Sequence, residues 1–203
     1  MSLVITAQDN QGHGDYEPLA TGQYNAVCSA IAAVGPVNSP FYKNISNKVY
    51  IKFEAEKPDG TKGEIWMGET QSLSSKSNLG NKLRNWRQKD FSPEELKEFR
   101  LVNILGVPAK IDVTQTTTKA GKPFAKITNI YRADKPMKAS ETWTYDVDDP
   151  AQTNYDKLPK FIKNVIEENK EYNHANTPGD SGDAQPTQAE NVEVEDNLFD
   201  VPF

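Results

Sequence analysis

The feature that most constrains the fold is a pair of alternating segments joined by a tight turn. Apolar residues occupy every second position of segment 48–56, at Val49, Ile51 and Phe53. This two-residue period is typical of a strand that buries one face. The following Pro58-Asp59-Gly60 favours a turn, because Pro fixes φ and Gly accepts positive φ. Segment 63–72 then alternates again, so the sequence predicts an antiparallel hairpin.

Three further strands and three helices are predicted around this hairpin. The other strands are expected at 22–34, 109–115 and 124–132. Apolar residues at helical spacing predict a helix over 77–90. Ser92 and Glu95 have the spacing of a capping box, which predicts a second, short helix. A third, amphipathic helix is expected over 158–172.

The predicted order is strand, strand, strand, helix, strand, strand. This is the order of the five-stranded Greek-key OB barrel, in which strands two and three and the loops after strands one and four face the ligand. We therefore expect a mainly β fold: a five-stranded OB-like barrel with a connecting helix, a C-terminal helix and a disordered acidic tail. The expected divisions are a flexible arm at 1–21, the barrel at 22–135, an extension at 136–172 and the tail at 173–203.

Charge is distributed unevenly along the chain. The whole sequence has 23 basic and 29 acidic residues, a net charge of −6. Seven of the acids lie from residue 173 onward, where there is no Lys or Arg, so the remainder has 23 − 22 = +1. Segment 22–149 alone holds 19 basic and 15 acidic residues, a net of +4. A mildly basic body joined to an acidic tail is typical of an interaction tail, with acids that only keep the tail soluble as the alternative.

Several function classes find no support in the sequence. The single cysteine, Cys28, cannot form an internal disulfide, which fits a reducing cytoplasm. His13 and His174 fall in segments expected to be flexible, so neither a metal site nor a His-based catalytic triad is expected. No membrane span, signal-peptide pattern or phosphate-binding loop is recognised. We therefore expect a cytoplasmic protein that is not an enzyme and uses no cofactor.

A candidate surface for single-stranded DNA follows from the predicted barrel. Such a surface needs cations along the phosphates and aromatic faces on which any base can stack. The residues that meet these needs on the outward face of the strands and in the flanking loops are Phe41, Tyr42, Lys43, Lys48, Tyr50, Lys52, Trp66, Lys119, Lys122 and Lys126.

Other interpretations of these residues stay open. A one-residue register slip would turn Tyr50 and Trp66 into the core. Phe41 and Tyr42 have the alternative role of plugging the end of the barrel. A second basic cluster, on the predicted connecting helix, is interpreted as a solvated face: Arg84, Arg87 and Lys89.

The last residues of the sequence form its sharpest motif. Two Phe, a Leu, a Val and a Pro fall in the final six positions, although polar, unstructured segments are usually depleted in large apolar residues. The residues expected to dock on a partner protein are Asp196, Phe199, Asp200, Val201, Pro202 and Phe203. A chance ending, or packing of this segment on its own domain, is the alternative.

This tip resembles the acidic C-terminal tip of bacterial and phage single-stranded DNA-binding proteins. Segment 73–132, together with Leu158-Pro159-Lys160-Phe161-Ile162, is similar to phage OB-type proteins of the same class. The resemblance implies a protein that coats single-stranded DNA without sequence preference during replication, recombination and repair, and recruits partner proteins through its tip. No membrane partner is expected, and homo-oligomerisation stays open. The alternatives are a strand-annealing or duplex-tolerant recombination protein, and an OB-fold adaptor that binds protein rather than DNA.

Overall fold

The computed structural model describes residues 17–38, 45–117, 121–149, 151 and 153–170, which form a mainly β fold, as the sequence predicts. The strands are β1 (Gly22–Asn38), β2 (Ile45–Glu56), β3 (Lys62–Thr70), β4 (Pro108–Thr117), β5 (Pro123–Arg132) and β6 (Trp143–Asp146). The α-helices are α1 (Asn78–Arg87), α2 (Pro93–Lys97) and α3 (Lys160–Glu168). Short 3₁₀ helices lie at Leu101–Ile104 and Tyr155–Lys157.

All of these strands join in one sheet through β1. The path β3-β2-β1-β4-β5 is antiparallel, and β6 pairs with β1 in the parallel direction. One edge of β1 serves two partners, because β4 pairs with residues 22–27 and β6 pairs with residues 30–33. The strands at the two ends of the path, β3 and β5, also contact each other, and α1 packs against both.

One hydrophobic core, the inner core, lies between the sheet and α1. Its largest fully buried side chains are Ile51, Phe53, Ile65, Leu79, Leu83, Ile111, Ile127 and Ile130. Trp86 of α1 packs on Phe53 with the ring centroids 5.6 Å apart. Its indole Nε1 donates to the Pro108 carbonyl at 2.8 Å, which satisfies the only polar atom of this buried ring.

A second core, the outer core, covers the opposite face of β1 and β2. It is formed by Ala30, Ala32, Val34, Trp143, Tyr145, Leu158, Ile162 and Ile166. Ile162 and Ile166 of α3 are 0% and 4% exposed. Each side chain of this size stabilises the fold by about 1.5–3 kcal/mol when it leaves water. The predicted C-terminal helix is therefore packed on the sheet.

An irregularity at Ser29 changes which residues of β1 face each core. Before it, Ala26 and Cys28 lie in the inner core; after it, Ala30 and Ala32 lie in the outer core. A bulge inserts one residue into a strand, so the alternation of its side chains shifts by one position. Seven consecutive residues, 26–32, are buried because the inner core covers one face of β1 and the outer core covers the other.

A buried carboxylate ties the segment between β5 and β6 to the sheet. Glu54 of β2 is 5% exposed and accepts hydrogen bonds from Lys62 and from both the backbone and the hydroxyl of Ser140. Burial opposes ionisation of this carboxyl, but the bonds from Lys62 and Ser140 outweigh burial and lower its pKa below the usual value. The charged form is thus buried with its hydrogen bonds satisfied.

Most of the expected elements are present. The predicted five strands are confirmed, and helices occupy the predicted positions. The sequence does not predict β6, whose four residues are too few for a clear alternation. Residues 17–21, the end of the predicted flexible arm, include the buried Leu19. Among the described residues, no helix combines the length and the apolar character needed to cross a membrane.

A buried ion pair connects α1 to β3. Lys82 Nζ donates to Glu69 Oε1 at 2.5 Å, and the two side chains are 10% and 8% exposed. Removing one partner of a buried pair leaves the other charge uncompensated, whereas replacing both by apolar residues is often neutral. The loss in the free energy of unfolding is therefore greatest when only one member of the pair is replaced.

We expect Lys82→Met to lower the free energy of unfolding by about 3–5 kcal/mol, because Glu69 would remain buried and unpaired. Changing Glu69→Leu in the same chain should restore most of that loss. Chemical denaturation followed by circular dichroism measures both variants. An equal loss in the single and double variants would show that helix packing, rather than the ion pair, sets the cost.

Candidate nucleic-acid interface

The candidate interface is the face of β2 and β3 that points away from the inner core. Lys48, Tyr50 and Lys52 alternate with the inner-core residues of β2, so they lie on this face, as the two-residue period predicts. Across the hairpin, Tyr50 pairs with Gly68 and Lys52 pairs with Trp66. Diagonal neighbours on paired strands are close enough for aromatic side chains to interact. The register therefore brings the two predicted aromatic residues together.

Tyr50 lies directly over the backbone of β3 at Gly68. A Cβ atom at Gly68 would lie 2.5 Å from the Cε1 atom of the Tyr50 ring, so the glycine is what permits this close approach. Tyr50 also meets Phe161 of α3 edge to face, with the ring centroids 5.8 Å apart. Burial raises the pKa of the Tyr50 hydroxyl to about 12, which keeps the phenol neutral at physiological pH.

Trp66 is held in a similar way by the extension that follows β5. Its ring lies 5.9 Å from that of Trp143 on β6, at an interplanar angle of 57°. Both Tyr50 and Trp66 are half-buried against the outer core. We call the row Phe161, Tyr50, Trp66 and Trp143 the aromatic strip.

Two members of the aromatic strip, Phe161 and Trp143, are absent from the sequence-based site. Trp143 and Tyr145 are separated by one residue, and Phe161 lies on the apolar side of an amphipathic segment. These patterns indicate burial, but they carry no information about which sheet face the residues cover. Only the tertiary arrangement, in which β6 pairs with β1 and α3 packs beside it, brings them to Tyr50 and Trp66.

The lysines on this face are engaged within the protein. Lys48 Nζ donates to Thr70 Oγ1 at 2.9 Å. Burial lowers the pKa of Lys48, and the charge of Glu69 opposes that effect in part. Lys52 forms an ion pair with Glu64 at 2.6 Å. The positive charge of this face is thus partly balanced before any ligand binds.

The remaining predicted cations differ in position. Lys126 is exposed on β5 and forms no ion pair with any described residue, whereas Lys122 lies in the turn before β5. Arg84 and Arg87 of the connecting helix pair with Asp90 and Glu95, and Lys89 is exposed. Several predicted site residues lie outside the described residues: Phe41, Tyr42, Lys43, Lys119, Asp196, Phe199, Asp200, Val201, Pro202 and Phe203.

Comparison with protein-family models and with curated protein sequences finds no match for this chain.

Within the described residues, no group of three or more His, Cys, Asp or Glu side chains is placed to hold a metal ion. Cys28 is buried, and burial raises the pKa of its thiol to about 12, so the reactive thiolate is suppressed.

We expect Gly68→Ala to lower the free energy of unfolding by about 1–3 kcal/mol, because the added methyl group collides with the Tyr50 ring. The same substitution in a Tyr50→Ala chain should cost markedly less. Denaturation of the two single variants and the double variant measures this coupling. Additive losses would mean that Gly68 is required for a reason other than the position of Tyr50.

Proposed function

We propose that this protein binds single-stranded DNA without sequence preference, with Tyr50 and Trp66 of the aromatic strip as the stacking residues. The observation that carries the proposal is the pair of half-buried rings on adjacent strands: Tyr50 lies between Lys48 and Lys52 on β2, and Trp66 lies opposite Lys52 on β3. Bases of any sequence stack on aromatic rings, and each such contact is worth about 1–3 kcal/mol. Lysines beside the rings suit the phosphates that accompany the bases.

The arrangement of the sheet supports the same proposal. The strand path β3-β2-β1-β4-β5, with β3 in contact with β5 and a helix between β3 and β4, is consistent with the OB barrel that we propose. In that fold the second and third strands carry the ligand surface. The aromatic strip lies on those two strands, with Phe161 and Trp143 added from the extension.

Half-burial of the rings favours stacking. A base needs only the exposed part of a ring, and each ring is held from within the protein, Tyr50 by Gly68 and Phe161 and Trp66 by Trp143. A ring that is already immobilised loses little side-chain entropy when a base binds, so less of the stacking energy is lost. The outer core thus preorganises the surface.

The ion pair between Lys52 and Glu64 favours a second candidate, a protein-binding OB-like adaptor. A carboxylate on the candidate face weakens its attraction for phosphate, whereas protein ligands tolerate mixed charge. The two functions differ in their response to salt. Binding to phosphates releases counterions and weakens steeply as salt is added, whereas protein binding through apolar contacts does not.

We expect Tyr50→Leu to weaken single-stranded DNA binding by about 1–3 kcal/mol, because the base loses its stacking partner. Tyr50→Phe is the matched control, since it keeps the ring and should retain the affinity. Both variants keep an apolar side chain over Gly68 and against Phe161, so folding is preserved. Fluorescence anisotropy with a labelled oligonucleotide gives the affinities. Equal affinities for the two variants would exclude Tyr50 as a stacking residue.

The same proposal assigns partner recruitment to the acidic-apolar segment 196–203. Aromatic residues are the usual anchors of protein interfaces, and acids beside them steer the segment toward basic surfaces. Phe203 and Phe199 are the candidate anchors, and Asp196 and Asp200 are the steering charges.

Phe203→Ala should therefore abolish the capture of replication or recombination proteins while leaving DNA affinity unchanged. Affinity capture from a bacterial lysate, read by mass spectrometry, compares this variant with the intact chain and with Asn197→Ala as a polar control. Recovery of the same replication proteins by all three chains would remove the recruiting role from Phe203.

A further inference from the structure

A groove of about 640 Å³ lies beside the end of α1, and none of its lining residues belongs to the aromatic strip. It is bounded by α1, by the segment from α2 to the start of β4, and by residues that follow β5. Its apolar lining includes Trp86, Phe99, Ile104 and Val107. The groove is therefore separate from the residues proposed to bind DNA.

Two exposed apolar side chains adjoin lining residues of the groove in the sequence: Leu96 follows Glu95, and Val102 precedes Asn103. Leu96 of α2 and Val102 are each 51% exposed, and Val107 at the groove is 38% exposed. These are three of the five large apolar side chains that are exposed among the described residues. Groups of exposed apolar side chains mark surfaces that bind other polypeptides, whereas single exposed side chains are ordinary.

Arg87 lies in the wall of the groove with an unsatisfied donor. Its guanidinium packs over the rings of Phe91 and Phe99, at 4.6 and 5.2 Å from their centroids, and Nη2 donates to Glu95. Its Nη1 is buried and has no hydrogen-bond acceptor in the described structure. A buried donor without a partner costs free energy, which an incoming acceptor would recover.

The charges around the groove favour an acidic ligand. Arg132 and Lys135 are exposed and form no ion pair with any described residue. The two acids in the lining are already paired, Glu95 with Arg87 and Asp134 with Lys110 at 2.5 Å. Two unpaired cations thus lie beside an apolar floor.

We propose that this groove binds the acidic-apolar segment 196–203 of the same protein. The segment matches the groove in both respects: its apolar residues Leu198, Phe199, Val201 and Phe203 suit the floor, and Asp196 and Asp200 suit the cations at the rim. Residues 171–195, which are 25 in number, separate it from the last described residue. A chain of that length spans at most roughly 80–90 Å, which is ample for one domain.

A nucleic acid suits this groove less well than the segment does. The lining is more apolar than polar, whereas a row of phosphates needs a row of cations along its path. The segment carries only two side-chain carboxylates, Asp196 and Asp200, which the two unpaired cations suffice to balance. The proposal does not depend on DNA binding, because none of the groove residues belongs to the aromatic strip.

Docking in the groove would store the segment on the body until a partner with a better pocket competes for it. The apparent affinity for such a partner is then the intrinsic affinity multiplied by the fraction of molecules whose segment is not docked. A substitution that empties the groove should therefore strengthen capture of a partner.

The test uses the full-length chain carrying Phe203→Ala, so that its own segment competes less, and a fluorescein-labelled peptide of residues 190–203. Anisotropy titration should show saturable binding, with a peptide of scrambled sequence and equal charge binding at least roughly tenfold more weakly. Adding Arg132→Glu and Lys135→Glu should weaken binding by roughly tenfold or more. Lys76→Glu, an exposed charge reversal away from the groove, should leave it unchanged.

A second variant tests the apolar contact. Val107→Asp, at a 38% exposed position, should fold and should also weaken peptide binding. Circular dichroism confirms folding of every variant. Unchanged peptide affinity in the charge-reversal and Val107 variants, or equal binding of the scrambled peptide, would overturn the proposal. Displacement of the peptide by a single-stranded oligonucleotide, with loss of oligonucleotide binding on Arg132→Glu, would instead assign the groove to nucleic acid.

Discussion

The structure depends on burial of β1 on both of its faces. Seven consecutive residues of this strand are buried, and most of them are small. Ala26 and Cys28 allow the inner core to pack closely, and Ala30 and Ala32 make room for the aromatic residues of the outer core. The irregularity at Ser29 lets one strand supply both sets. A strand that packed on one face only would leave β6 and α3 without a surface to cover.

The outer core then determines the properties of the candidate interface. Because α3 and β6 pack beside β2 and β3, Phe161 and Trp143 reach the rings of Tyr50 and Trp66. The rings become half-buried and immobile instead of fully exposed, and Gly68 allows Tyr50 to lie flat over β3. The interface therefore depends on the packing of both cores. A substitution at Phe161 or Trp143 should alter the positions of the Tyr50 and Trp66 rings.

Sequence patterns were informative where one periodicity held throughout an element. The alternation of Val49, Ile51 and Phe53 predicted the inner face of β2 and placed Tyr50 opposite, and the capping box at Ser92 is formed as expected. The pattern was uninformative where the periodicity changed. β1 reverses its alternation at Ser29, so no single two-residue period describes it, and its second buried face was not evident. The contacts of Phe161 with Tyr50 and of Trp143 with Trp66 join elements that are distant in the sequence, so no local pattern predicts them.

The most direct test of the proposed DNA-binding surface is the tryptophan fluorescence of the full-length protein. Trp86 and Trp143 are 3% and 8% exposed, whereas Trp66 is half-buried at the aromatic strip, so bound bases should quench mainly Trp66. Titration with an unlabelled oligothymidine should give saturable quenching that weakens steeply with added salt, while a duplex of equal length gives little. The absence of quenching, affinity that does not change with salt, or equal binding of duplex and single strand would contradict the account.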